Sequence, residues 1–307
     1  MPKRLANFNV VLATLVCALA APALASADTS TSQNWSGYAV HATGLSFRKL
    51  SGSWKQPNAT CTQGEPAYSA FWVGLGGYSL TSDGLEQIGT EDDCDANGSV
   101  DVYAWYELVP APSQVIRMTL KPGDLISATV QVLGAQVTLT LQDRTSHKSF
   151  AKTFTDRTAD VSSAEWIVEA PSECFSSTQC RTLPLADFGS LQFSGASVQT
   201  TSGRTSAISN SLWDTTRIVL SSGGSRFISS GASTGAGAQS TPSALTSAGG
   251  VFTVTYSDAA ASQPGGVGGG PSSSRGGGSA SRTVAAARSG SVGGHQRLVK
   301  GVRADAG

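Results

Sequence analysis

The sequence predicts an all-β fold, a two-layer sandwich or jelly roll, on three observations. Short runs of alternating apolar and polar residues recur, helical spacing is nearly absent, and Gly, Pro, Asn and Asp punctuate the runs. Val137, Leu139 and Leu141 alternate in one run, and Phe252, Val254 and Tyr256 in another. Strands are also predicted over 102–109, 125–133, 165–169, 191–193 and 217–220. Asp95-Ala96-Asn97-Gly98 and Lys121-Pro122-Gly123-Asp124 carry turn chemistry between such runs. Residues 28–258 are expected to form one domain, large enough to bury a core.

The two ends differ from this domain. Residues 1–27 read as an export signal: Lys3 and Arg4, an apolar stretch from Val10 to Ala21, then small residues at Ala25-Ser26-Ala27. The apolar stretch is short for a membrane span of ~20 residues, so a secreted, extracellular protein is expected, with no membrane contact once the signal is removed. The short stretch before Asn34 leaves no obvious N-terminal inhibitory segment. Residues 259–307 are rich in Gly, Ser and Arg and read as a disordered tail, unable to bury enough apolar surface to offset its ordering entropy. Its Arg275, Arg282, Arg288, Arg297, Lys300 and Arg303 allow a second reading, electrostatic attachment to an acidic surface such as a cell wall.

Cys17 leaves with the signal, and Cys61, Cys94, Cys174 and Cys180 remain. An even number in an exported chain suggests two disulfides. Cys174–Cys180, closing a short loop, and Cys61–Cys94, tying two neighbouring segments, are the favoured pairs. Zinc is a poor alternative, because there is no Cys-x-x-Cys and the only histidines are His41, His147 and His295. Zero formal net charge and 14% charged residues give no field to attract nucleic acid or a membrane. Asn34, Asn58 and Asn97 head Asn-x-Ser/Thr triplets.

Familiar catalytic signatures are missing. There is no Gly-x-Ser-x-Gly elbow, no His-Glu-x-x-His and no Asp-Thr-Gly or Asp-Ser-Gly. Three stretches instead carry polar and aromatic residues in strand patterns. In the first, Ser163 to Glu169, alternation puts Glu165, Ile167 and Glu169 on one face and Trp166 and Val168 on the other, toward the core. In the second, Tyr103, Trp105 and Glu107 share a face, as in a cleft for an extended peptide or glycan. In the third, Phe71 to Gly77 leads to Leu85 to Gly89, with glycines that suggest close approach of a backbone or ligand and with Gln87 on the same face as Leu85 and Gly89. Each stretch alone also fits an ordinary sheet face.

Together they resemble the eqolisins, the glutamic peptidases first known from fungi. Asn34-Trp35-Ser36-Gly37, Phe71-Trp72-Val73-Gly74-Leu75, Gln87-Ile88-Gly89, Tyr103-Ala104-Trp105-Tyr106-Glu107 and Ala164-Glu165-Trp166-Ile167-Val168-Glu169 occur in the family's order, within residues 33–257. The resemblance implies a double-sheet antiparallel β-sandwich, jelly-roll and concanavalin-like, with a concave face for a peptide. It implies that Gln87 and Glu169 are catalytic, on neighbouring strands, and that Trp72, Trp105, Glu107 and Glu165 bind or support substrate. Three family acids differ here: Gly76 and Tyr103 stand where two of them occur, and Glu91 replaces the third.

The implied chemistry is one-step hydrolysis of a peptide bond in acid. Glu169 takes a proton from water and later returns it to the leaving amine, while the Gln87 amide donates to the developing oxyanion. No metal or organic cofactor is required, and a monomer acting on polypeptides is expected. Two other readings remain open at this point. One is a jelly-roll glycosidase using Glu107 and Glu169. The other is a non-catalytic, lectin-like binding module.

Overall fold

The computed structural model describes residues 27–79, 82–176, 179–221, 238–258 and 296–297. The predicted export signal lies outside these residues except for Ala27, and the predicted tail except for Gln296 and Arg297. In chain order the strands begin with β1 (Asp28–Ser32), β2 (Trp35–His41), β3 (Phe47–Lys55), β4 (Ala67–Gly76), β5 (Leu85–Cys94), β6 (Val100–Val109) and β7 (Gln114–Ile116). They continue with β8 (Leu125–Leu133), β9 (Gln136–Asp143), β10 (Lys148–Thr155), β11 (Ser163–Glu169), β12 (Ser172–Ser176) and β13 (Gln179–Thr182). The last are β14 (Ser190–Thr200), β15 (Thr205–Ala207), β16 (Asp214–Leu220), β17 (Ala238–Pro242), β18 (Phe252–Asp258) and β19 (Gln296–Arg297). Among the described residues there is no helix, and the all-β reading holds.

The run predicted over 125–133 coincides with β8, and those over 102–109, 165–169, 191–193 and 217–220 fall inside β6, β11, β14 and β16. Strands β3 and β10 escape the alternation test for different reasons. In β3, Gly52 takes an inward position between Leu50 and Trp54 and breaks the apolar run. Strand β10 is a polar edge strand whose Phe150 and Phe154 stand four residues apart, a helical spacing.

Two layers share one strand. The back layer runs β10-β9-β8-β3-β14, and the front layer runs β14-β18-β17-β16-β2-β11-β4-β5-β6-β7. Strand β14 pairs with β18 through Ser190–Phe193 and with β3 beyond Ser194. Its register shifts between Ser194 and Ser197, around Gly195, whose φ of 60° permits the bend. Ladder pairings are antiparallel except for β1 with β16 and β12 with β19.

Between the layers lies the main core. Leu50, Trp54, Ile126, Val130 and Leu139 of the back layer meet Phe71, Val73, Ile88, Trp166 and Val168 of the front layer. The other face of the front sheet has an apolar cluster of its own, with Trp35, Trp72, Leu85, Trp105, Ile167 and Ile218. Alternation on β11 therefore splits as expected, with Trp166 and Val168 in the core and Ile167 on the opposite face.

Cys61 and Cys94 form the predicted disulfide, closing 33 residues and tying the end of β5 to the segment before β4. Cys180 is also disulfide-bonded, and Cys174 faces it across the β12–β13 ladder. The Cys174 side chain lies outside the described residues.

Candidate active site

Five front strands, in the order β2-β11-β4-β5-β6, bring the predicted residues to one face. Residues paired across a ladder point to the same side, so register reads directly as a map. One row holds Trp35, Glu169, Ala70, Glu91 and Tyr103. The next holds Gly37, Ile167, Trp72, Gly89 and Trp105, and the third holds Ala39, Glu165, Gly74, Gln87 and Glu107. All six predicted catalytic and substrate residues lie within these three rows.

The expectation of neighbouring strands for Gln87 and Glu169 is corrected. Gln87 is on β5 and Glu169 on β11, and β4 runs between them. Trp72 of β4 fills the interval. Its indole Nε1 donates to Glu169 Oε2 at 2.8 Å. The far edge of the ring leans over Gly74, where an added Cβ would stand 3.0 Å from Trp72 Cζ3, 3.2 Å from Gln87 Cβ and 2.9 Å from Leu85 Cδ1. Glycine at 74 thus lets Trp72 reach from the Glu169 row to the Gln87 row.

Glu169 is held from a second side, where Asn34 Nδ2 donates to its Oε1 at 3.2 Å. Asn34 is itself set by Ser32, whose hydroxyl donates to Asn34 Oδ1 at 3.0 Å and accepts from the Asn34 amide at 3.2 Å. Both partners of Glu169 named here are donors, an arrangement suited to a carboxylate. Gln87 Nε2 donates to Glu107 Oε2 at 2.8 Å, which leaves a second N–H on the amide, while Gln87 Oε1 has no hydrogen-bond partner. Trp72, Gln87, Trp105, Glu107, Glu165 and Glu169 are all fully buried.

Buried acids gather at the Gln87 end of the face. Burial raises the Glu165 carboxyl well above its usual range, with the negative charges of Asp160 and Glu86 adding to the shift. The Ser163 hydroxyl, close by but short of normal hydrogen-bond geometry, offsets part of that shift. Glu86, next to Gln87 but pointing to the opposite side of the sheet, is pushed up to about 9 by burial and by Asp156 and Asp160. Neither oxygen of Glu86 or Glu165 has a hydrogen-bond partner. Asp160 arrives from the loop between β10 and β11 and packs on Gly76 (φ 85°), its Cβ 2.6 Å from where a Gly76 Cβ would stand. It accepts from the Ser82 hydroxyl and, at 2.8 Å, from the Ser162 amide. The space over the position where the family pattern has an acid is thus occupied by an acid from another loop.

At the same end His41 stacks on Tyr78, with centroids 4.5 Å apart, and both reach Thr216 Oγ1. Burial lowers the His41 pKa, against the opposing charges of Asp214 and Asp28. Among the described residues, no group of three or more His, Cys, Asp or Glu is placed to hold a metal ion.

The model of the Peptidase A4 family matches residues 33–241. That span covers the face and every residue in its three rows. The chain belongs to the Peptidase A4 family. It is a hydrolase, an endopeptidase of the glutamic type, and its substrates are polypeptides. The glycosidase and binding-module readings give way to this membership. Among solved structures, the chain is similar to scytalido-glutamic peptidase with a transition state analog inhibitor: 22% identity, TM-score 0.58, 73% of this chain and 98% of that one covered. It is also similar to SCP-B, an eqolisin in complex with the tripeptide Ala-Ile-His, at 21% identity and TM-score 0.56, over 73% of this chain and 98% of that one. At these identities the likeness is one of fold. No curated protein matches the chain by sequence at a significant level.

Sequence reasoning missed part of this arrangement. Asn34 was visible as the head of a glycosylation triplet, yet it is fully buried with its side-chain amide on Glu169, so it cannot accept a glycan in this fold. Asn58 and Asn97 are exposed. Glu86 and Asp160 had no pattern to announce them; the sequence showed only that Gly76 stands where the family pattern has an acid.

Proposed function

We propose that this chain is a secreted acid endopeptidase, acting as a monomer, in which Glu169 is the general base and Gln87 stabilises the oxyanion. The observation that carries this reading is the contrast between two side chains on one face. Glu169 is held by donors as a proton acceptor, while Gln87 keeps an N–H and its Oε1 uncommitted. Water taken up beside Glu169 would give its proton to that carboxylate as its oxygen attacks the scissile carbonyl. The free Gln87 N–H would donate to the developing oxyanion, and Glu169 would return the proton to the leaving amine. SCP-B is in complex with a tripeptide on a similar fold, and the row of Trp72, Gly89 and Trp105 is the aromatic part of the face that would lie along an extended peptide.

Hydrolysis of a denatured protein from acid to neutral pH tests the reading. Acid-favoured cleavage that resists chelators and is lost in both Glu169→Gln and Gln87→Ala is the expected result. Parental activity in either variant sinks the assignment.

A further inference from the structure

A Glu/Gln pair alone accounts for only one side of a pH profile. Glu169 acts as a base when ionised, so its titration makes activity rise with pH and then level off, and Gln87 does not titrate. A fall in activity on the alkaline side needs a second group that must stay protonated.

The structure contains a cluster with that property. Glu165 and Glu86 lie on opposite faces of the sheet, each fully buried and each without a hydrogen bond of normal geometry to either carboxyl oxygen, although the Ser163 hydroxyl acts on the first and the Asp160 backbone amide on the second. Buried carboxyls in that condition are tolerated when neutral and costly when charged. Asp160 lies near both, and both of its named partners, Ser82 Oγ and the Ser162 amide, are donors suited to a charged carboxylate. Asp156 acts on Glu86 as well. From β2, His41 stands opposite Ser163 in register, with Asp214 opposite it on β16. From β6, Glu107 lies beyond Gln87 and is engaged by its amide. Asp92, farther along β5, is also raised by burial, to about 7, against hydrogen bonds from Gln56 Nε2 at 2.6 Å and the Ala59 amide at 3.2 Å.

The cluster grips the end of the sheet that carries Gln87. Glu165 is in register with Gly74 and, across it, Gln87. Asp160 covers Gly76 and bonds Ser82, whose hydroxyl oxygen also accepts from the Gly77 amide at 3.0 Å and lies 2.9 Å from Gly84 O, its single proton shared between the two acceptors. These contacts tie Gly76 and Gly77, at the end of β4, to Ser82 and Gly84, just before β5 and Gln87.

Building on the Gln87/Glu169 reading, we propose that Glu165 and Glu86 are positioning residues: uncharged beside Asp160, they hold the turn into β5 and with it Gln87, and their ionisation sets the upper pH limit of hydrolysis. A second negative charge beside Asp160 would drive the 156–162 loop off Gly76 and Gly84 and release the start of β5.

The test is the pH dependence of kcat/KM for the parent, Glu86→Gln, Glu165→Gln and the double variant, each normalised to its own maximum. Glutamine mimics the protonated acid, so all variants should fold at pH 4. The alkaline limb should move up by about one pH unit or more, furthest in the double variant, while the acid limb stays in place. An alkaline limb at the parental position in all three variants overturns the proposal, as does failure of the glutamine variants to fold at pH 4. Failure of the dyad reading looks different: it appears as activity surviving Glu169→Gln, whatever the alkaline limb does.

Discussion

Trp166 and Trp72 stand on neighbouring strands of one sheet and face opposite ways. Both are fully buried, and both indoles donate one hydrogen bond. Trp166 gives its bond to the backbone carbonyl of Ser51 at 2.9 Å, stitching the front layer to the back. Trp72 gives its bond to the Glu169 carboxylate. The first face is mostly apolar, although Glu86 and Asp92 also point to it. The other sets Gln87, Glu91, Glu107, Glu165 and Glu169 among tryptophans, and there Gln87 Oε1 and both Glu165 oxygens make no hydrogen bond of normal geometry. Burying polar groups unpaired weakens a fold, so the second face makes sense as machinery and the first as foundation.

That division can be broken by experiment. Trp166→Ala should cost about 3–5 kcal/mol of stability in denaturant unfolding, while activity per folded molecule stays near the parent value. Trp72→Phe should instead strike both properties. It keeps a ring but loses a hydrogen bond to a buried charged group, worth about 1.5–3 kcal/mol of stability, and by loosening Glu169 it should lower kcat/KM by roughly ten-fold or more per folded molecule. Full activity in Trp72→Phe would remove the reason for treating this face as machinery. Gly74→Ala should lower both by about 1–3 kcal/mol, because the new methyl meets Trp72, Leu85 and Gln87 together.

The smallest effect concerns pH and stability. Glu86 (about 9) and Asp92 (about 7, raised first by burial) both titrate above their unfolded values, and Glu165 is raised as well. A raised acid contributes stability that is fully present below its unfolded value, about 4. That contribution is lost as pH rises through the folded value, so thermal midpoints should decline from pH 5 toward pH 9. Midpoints that rise across this range would contradict the burial of neutral carboxyls.

Much of this was legible in the sequence because strand alternation is a local rule. It placed Glu165, Ile167 and Glu169 together and sent Trp166 and Val168 to the core, and the motif resemblance singled out Gln87 from among ordinary glutamines. Strand order is not local, and so the place of β4 between β11 and β5 was misjudged. Nor could spacing bring Asn34 to Glu169, 135 residues away, or lay Asp160 over Gly76. Such contacts depend on how loops return to a finished sheet. Gly74 lies between these cases: its presence in a strand signalled a close approach, and only the fold showed that the approaching groups are Trp72, Leu85 and Gln87.

The central claim, that Gln87 and Glu169 serve one hydrolytic step from either side of Trp72, is tested most directly by a double-mutant cycle. It needs kcat/KM in acid for the parent, Gln87→Ala, Glu169→Gln and the double variant, with a sensitive fluorogenic peptide. Residues that act as a unit are strongly non-additive, so the double variant should be about as slow as the slower single one. Losses that multiply would mean that the two side chains work independently, and the pairing of Gln87 with Glu169 would fall.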